Sequence, residues 1–201
     1  MSAYIIQEKT LTDIADAVRE KSGTSDLILV GDLPAAISNI QTGGGDSQWE
    51  EYWRKTATHF TLPEGITSIQ QYAFMNHENL ESVEGINEIT WIGEYAFYNC
   101  KNLVLTELLK FQGAICAATF YGCEKIALTK LNTTKIYSLA FSGCKGLTNI
   151  TFRSTPMSIA SNAFQKCDNL TVINVPWAEG EVANAPWGAT NATINYNYKE
   201  E

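Results

Sequence analysis

The residues of this 201-residue chain best suited to nucleophilic, redox or metal chemistry are five cysteines and two histidines. Cys100, Cys123, Cys144 and Cys167 recur at intervals of 23, 21 and 23 residues, and His77 stands 23 residues before the first of them. Redox and zinc cysteines come in close pairs such as C-x-x-C, and no such pair exists here. A whole-repeat interval instead stacks the thiols in one column, as small buried apolar groups. Cys116 lies outside the column, in an apolar run that also predicts burial. Neither His59 nor His77 has a carboxylate and a nucleophile at a recognised spacing, so no acid–base or covalent catalytic set is expected. Gly43, Gly44 and Gly45 match no phosphate loop, and the acidic residues lack the spacing of a calcium loop. Glu78, Glu81 and Glu84, the densest acidic cluster, read as a solvated turn rather than the paired carboxylates of a glycosidase. Asn132, Asn149, Asn169 and Asn191 open N-x-[ST] triplets, which carry no meaning for glycosylation without a secretory signal. No catalytic residue, cofactor or metal ligand is assigned; the chain reads as non-enzymatic.

Recognition chemistry is better represented. Trp91, Tyr95, Tyr98, Tyr121 and Tyr137, with Tyr72, vary in position within the repeat and are not required by its packing. Exposed aromatics suit stacking on sugar rings and anchoring of protein interfaces. These five form the candidate ligand-binding surface.

The elements that must position them follow from the repeat itself. Phe74, Phe97, Phe120, Phe141 and Phe164 are spaced by 23, 23, 21 and 23 residues. Before each comes Ala73, Ala96, Thr119, Ala140 or Ala163; five residues before each lies Ile69, Ile92, Ile115, Ile136 or Ile159. Six residues after each comes Leu80, Leu103, Ile126, Leu147 or Leu170. A period of this length marks a stacked-repeat protein, in which one copy cannot bury its own apolar residues but neighbours form a continuous core. Alternating runs at 66–69, 147–152 and 170–175 predict short half-buried strands, with Leu147, Ile150 and Phe152 inward. The 21-residue gap and the runs LVLTELL and IALTKL predict irregular second to fourth coils, with a twist or kink. The expected fold is a mostly β repeat solenoid of about five coils of roughly 23 residues, preceded by a small α-helical N-terminal module.

The unit I-x-x-x-A-F-x-x-C-x-x-L resembles the BspA-type leucine-rich repeat. Departures are His77 for Cys, Thr119 for Ala, and poor strand patterning after Leu103. The resemblance implies a right-handed solenoid used for adhesion or recognition rather than catalysis.

Net charge is −8, which argues against nucleic-acid partners and anionic membranes. No apolar run is long enough for a membrane helix, so no membrane insertion is expected. The start, MSAYIIQEKT, has no basic segment followed by an apolar stretch, so no signal peptide is read and synthesis in the cytoplasm is expected.

Residues 1–42 read as a helical attachment or oligomerisation module. Leu11, Ile14, Ala15 and Val18 fall at helical spacing behind Thr10, and Leu33, Ala36, Ile37 and Ile40 repeat it behind Asp32 and Pro34. Helices this short are marginal alone, so Leu11, Ile14, Val18, Leu33, Ile37 and Ile40 form the candidate attachment or self-association interface. Residues 43–48 are a Gly-rich linker. Residues 49–65 read as an N-terminal cap, 66–175 as the solenoid, and 176–201 as a C-terminal cap with Trp177, Trp187 and a last strand at 192–198. Open ends of a repeat array need such covers.

The segment TLTDIADAVREKSGTSDLILVGDLPAAISNI resembles a module near the N-termini of tail and other virion proteins from phages and prophages of Gram-positive bacteria. That likeness implies a virion tail component, attached to other tail proteins or to itself as a homo-oligomer such as a trimer. Its solenoid would face a host cell-surface glycan or protein. The alternative is a bacterial BspA-like adhesin or protein-interaction module.

Overall fold

Every strand in the structure, a computed structural model that describes residues 55–62 and 65–200, is short, and all pairings are parallel. In chain order they are β1 (His59–Thr61), β2 (Ser68–Ile69), β3 (Ser82–Glu84), β4 (Trp91–Ile92), β5 (Ala114–Ile115), β6 (Lys130–Leu131), β7 (Lys135–Ile136), β8 (Asn149–Phe152), β9 (Ser158–Ile159), β10 (Val172–Asn174) and β11 (Thr193–Asn195). The helical module predicted at 1–42, the linker at 43–48 and residues 49–54 and 63–64 of the predicted cap lie outside the described residues.

Each turn contributes two strand positions. The isoleucine column supplies β2, β4, β5, β7 and β9, where Ile69 pairs with Ile92, Ile115 with Ile136, and Ile136 with Ile159. The opposite column supplies β1, β3, β6, β8, β10 and β11. Strands stay at two to four residues because only one or two inward side chains per crossing are apolar. Residues 149–152 alternate exposed, buried, half-buried, buried, which sends Ile150 and Phe152 inward as the alternation predicts. Leu147 is buried with them.

Between the strand columns run the anchors. Phe74, Phe97, Phe120, Phe141 and Phe164 are completely buried. Successive rings stack at 5.1, 5.6, 5.5 and 5.3 Å with interplanar angles of 3°, 5°, 12° and 2°. A phenyl ladder of this kind follows from strict periodicity: equal rotamers on equal backbones, one rung apart, can only lie parallel. Phe60 closes the lower end edge-on against Phe74 at 5.2 Å.

Two details differ from the sequence expectation. The solenoid has about six turns, not five. Ala189 N–H donates to Pro186 O (2.9 Å) and Ala192 N–H to Ala189 O (3.0 Å), repeating the turn that Cys167 makes to Phe164 (3.2 Å) and Leu170 to Cys167 (3.0 Å). Pro186 thus takes an anchor's place, and β11 pairs with β10 through Ile194 and Ile173. Trp187 and Trp177 pack with Phe152 to close this end. The irregularity is also narrower than predicted. The 21-residue turn keeps both ladders, since β5 pairs with β7 and β6 with β8 across it. The ladders lapse one turn earlier, at residues 104–113, where single bonds from Val104 N–H to Glu81 O and Ala127 N–H to Leu105 O (both 2.9 Å) replace a strand. The run LVLTELL holds more apolar residues than alternation can turn inward. Leu103 and Leu105 are buried, whereas Val104 and Leu109 remain 53% and 61% exposed.

Candidate binding surface

The turn that carries the anchors also aims the aromatics. Two residues before the anchor the backbone is left-handed at Tyr72 (φ 63°), Tyr95 (53°), Ala118 (49°), Leu139 (58°) and Asn184 (71°). Two residues after it, Asn76, Asn99, Gly122, Gly143, Lys166 and Gly188 are left-handed as well. A left-handed non-glycine residue costs roughly 1–2 kcal/mol. The return is that these amides reach the next turn: Tyr72 N–H donates to Glu94 O (3.0 Å) and Asn76 N–H to Tyr98 O (2.7 Å). The conformation belongs to the repeat, because Ala118 and Leu139 share it. What is particular to turns one to three is the identity of the side chains hung there.

Those side chains form a row. Tyr72 and Tyr95 lie 5.4 Å apart, Tyr95 and Tyr98 5.8 Å, and Tyr98 stacks on Tyr121 at 4.7 Å and 7°. The positions one residue after the anchor are Met75, Tyr98, Tyr121, Ser142 and Gln165, so the row ends where the aromatic residues end. Of the five predicted residues the structure brings together Tyr95, Tyr98 and Tyr121 and adds Tyr72 as a full member. Trp91 and Tyr137 stand apart, Trp91 on β4 and Tyr137 directly after β7. Trp91, 41% exposed, is paired in register with Ser68 on one side. Tyr137 lies under the Lys135 ammonium at 4.4 Å. Stacking covers one face of Tyr98 and one face of Tyr121.

The thiol column is structural. Each Sγ–H donates to the anchor carbonyl one turn back: Cys100 to Phe74 (2.9 Å), Cys123 to Phe97 (2.9 Å), Cys144 to Phe120 (3.0 Å) and Cys167 to Phe141 (3.0 Å). Burial pushes all four thiols up, Cys167 to about 12, so they are held as donors and not as thiolates. Cys116 is only half-buried, not buried as its run predicted. Desolvation and then the Glu94 charge raise it too. His77 heads the same column, buried and edge-on to Phe74 at 5.7 Å. His59 Nδ1 shares a hydrogen bond with Ser82 Oγ (2.8 Å). Glu78 pairs with Lys101 at 2.9 Å and Glu84 accepts from Thr61 Oγ1 at 3.1 Å, which places the acidic cluster in solvated surface pairs. No group of three or more metal-ligating side chains exists among the described residues.

Two further columns have a signal in the sequence that the aromatic and thiol columns overshadow. Asn102, Asn169 and Asn191 follow their anchors by five residues and donate to Glu78 O (2.9 Å), Lys145 O (2.8 Å) and Asp168 O (2.9 Å) of the preceding turn. Asn191 sits five residues after Pro186, the signal that would have revealed the sixth turn. One position earlier the charges alternate as Glu78, Lys101, Glu124, Lys145 and Asp168, with Lys145 on Glu124 at 3.0 Å.

A stacked parallel solenoid with an anchor ladder and a thiol column defines a leucine-rich repeat architecture. The model of the BspA type leucine rich repeat region matches residues 50–171 in six copies, and the chain belongs to that family. It is similar in structure to a leucine-rich cell surface protein from Faecalibacterium prausnitzii A2-165, with 28% identity, a TM-score of 0.54, and coverage of 61% of this chain and 33% of that one. The chain thus spans about a third of that protein's length. No curated protein matches the chain.

Proposed function

We propose that this chain is a non-catalytic interaction module of the bacterial cell-surface adhesin kind, with the row Tyr72–Tyr95–Tyr98–Tyr121 as its contact face. The carrying observation is that half-exposed rings touch one another across three successive turns, at repeat positions that elsewhere hold Met75, Ala118, Leu139, Ser142 and Gln165. Mutual stacking of Tyr98 and Tyr121 favours a protein partner, which can pack on ring edges and accept from the hydroxyls, over a sugar that needs an open face. The cell-surface relative supports this setting. The test compares the chain with a Tyr98→Ser/Tyr121→Ser variant on an immobilised protein panel and a glycan array. Loss of about tenfold or more on a protein target is expected, since each anchor at such an interface contributes more than ~1 kcal/mol. Unchanged binding, with both proteins melting alike, sinks the assignment.

A second reading is carried by the segment at residues 1–42 that resembles virion attachment modules. Under it the chain is a tail component that oligomerises through Leu11, Ile14, Val18, Leu33, Ile37 and Ile40 and presents the solenoid to a host envelope glycan or protein. Solution mass with and without residues 1–42 tests it: an oligomer that survives their removal excludes that interface.

A further inference from the structure

Where the ladders lapse, the wall of the solenoid opens into a shallow groove of about 120 Å³, lined on one side by residues 106–109, Glu107 among them, and on the other by Thr129, Lys130, Asn132 and Arg153. It lies on the opposite strand column from Trp91 and takes no part in the tyrosine row. Lys130 and Arg153 give that wall two cations. Arg153 is exposed, and Asn132 is held in place by Ser154 Oγ at 3.0 Å.

Residues 196–200 already lie along this surface. After β11 the backbone turns at Asn197 (φ 54°). Asn197 N–H then donates to Trp177 O and Tyr198 N–H to Val175 O, each at 2.9 Å. From the level of β10 the tail crosses β8 and reaches β6, two rungs or about 10 Å, where the Glu200 carboxylate pairs with Lys130 Nζ. The bond from Lys130, then the charges of Lys130 and Arg153, hold the Glu200 carboxyl below the ordinary carboxylate range. Residues 198–200 thus bring one carboxylate, that of Glu200, onto Lys130, a residue of the groove wall. Both partners stay about half exposed, at 45% and 47%, so the contact is readily displaced.

We propose that the groove over Lys130 and Arg153 docks an extended acidic peptide segment of a partner protein, and that Glu200 of the tail occupies its carboxylate subsite until that partner arrives. Leu108 supplies an apolar wall, and Thr106, Thr129 and Asn132 supply hydrogen bonds.

The probe is a fluorescein-labelled peptide, Tyr-Asn-Tyr-Lys-Glu-Glu, read by anisotropy at low salt against the full chain. Glu200→Gln frees the subsite, and its affinity should exceed that of the unaltered chain by up to about fivefold, the range of an exposed ion pair. Adding Lys130→Gln and Arg153→Gln should abolish binding, whereas Lys130→Arg with Arg153→Lys should retain it. Salt should weaken it. Equal binding by all variants, or none by Glu200→Gln, overturns the proposal. Capture of heparin by the same cations with no binding of the peptide overturns it in favour of a polyanionic glycan. Because all three side chains are exposed, unchanged thermal melting verifies that each variant is folded.

Discussion

Phe120 sits in mid-ladder, with Phe97 at 5.6 Å on one face and Phe141 at 5.5 Å on the other. Removing it empties a site that neighbouring turns cannot close without losing strand register. Phe120→Ala should therefore destabilise by about 3–5 kcal/mol in urea unfolding, near the top of the range for a single substitution. The thiols make a prediction about pH. Burial raises their pKa values, so above the ordinary thiol value, around pH 9, the unfolded chain releases protons that the folded chain keeps. Stability should be complete below that pH and fall as pH climbs toward about 12, the value held by Cys167. Thermal melting between pH 8 and 11 measures the slope, and Cys144→Ala should reduce it. With a thiol reagent, Cys116 should label first, because the column cysteines are buried and it is half-buried. At this scale the sequence was most legible where a position is apolar in every copy, as for the Phe and Ile columns. Tyr72 was harder to place, because its exposure depends on a left-handed backbone that Ala118 and Leu139 adopt equally.

The turn between strands is the element that sets how closely successive coils approach. At Gly146 an added Cβ would lie 2.5 Å from Ile126 O, a backbone atom with nowhere to move. Gly146→Ala should cost about 1–3 kcal/mol, visible as a lowered urea midpoint with an unchanged slope. The same position in turn one holds Asn79 and in turn two Asn102, so the glycine is demanded by local closeness and not by the repeat. Strand positions with one clear inward residue were legible: 147–152 and 170–175 enclose β8 and β10. The lapse at 104–113 was only partly so. Surplus apolar residues in LVLTELL announced trouble, but the short 21-residue turn beside it looked equally suspect. It is regular because both ladders shift by the same 21 residues, Lys135 with Ala114 and Thr151 with Lys130, so no neighbour is left unpaired.

For the whole molecule, the ends are where periodicity stops being a guide. Ala185 and Pro186 stand where the other turns hold the Ala-Phe pair, so the sixth turn has no phenylalanine to announce it, although Asn191 kept its place. The candidate surface was legible as a set of surplus aromatics but not as a row. Ring contact depends on which residues share a turn edge, and Trp91 and Tyr137 proved to lie elsewhere. Alternating Glu78, Lys101, Glu124 and Lys145 along the outside contributes little energy, since exposed pairs contribute up to about 1 kcal/mol. Lys101→Ala should accordingly leave thermal melting almost unchanged.

In-register stacking at a fixed interval has a consequence for how such a chain can change length. Each coil touches only the one before and the one after, so cutting out one complete period and rejoining its neighbours restores every contact the survivors had. Removing residues 136–158, which joins Lys135 to Ile159, should yield a shorter chain that still folds cooperatively, whereas excising half as many should not fold at all. Size in this architecture is quantised, and a lineage built on it can lengthen or shorten its reach by duplication and loss of single units.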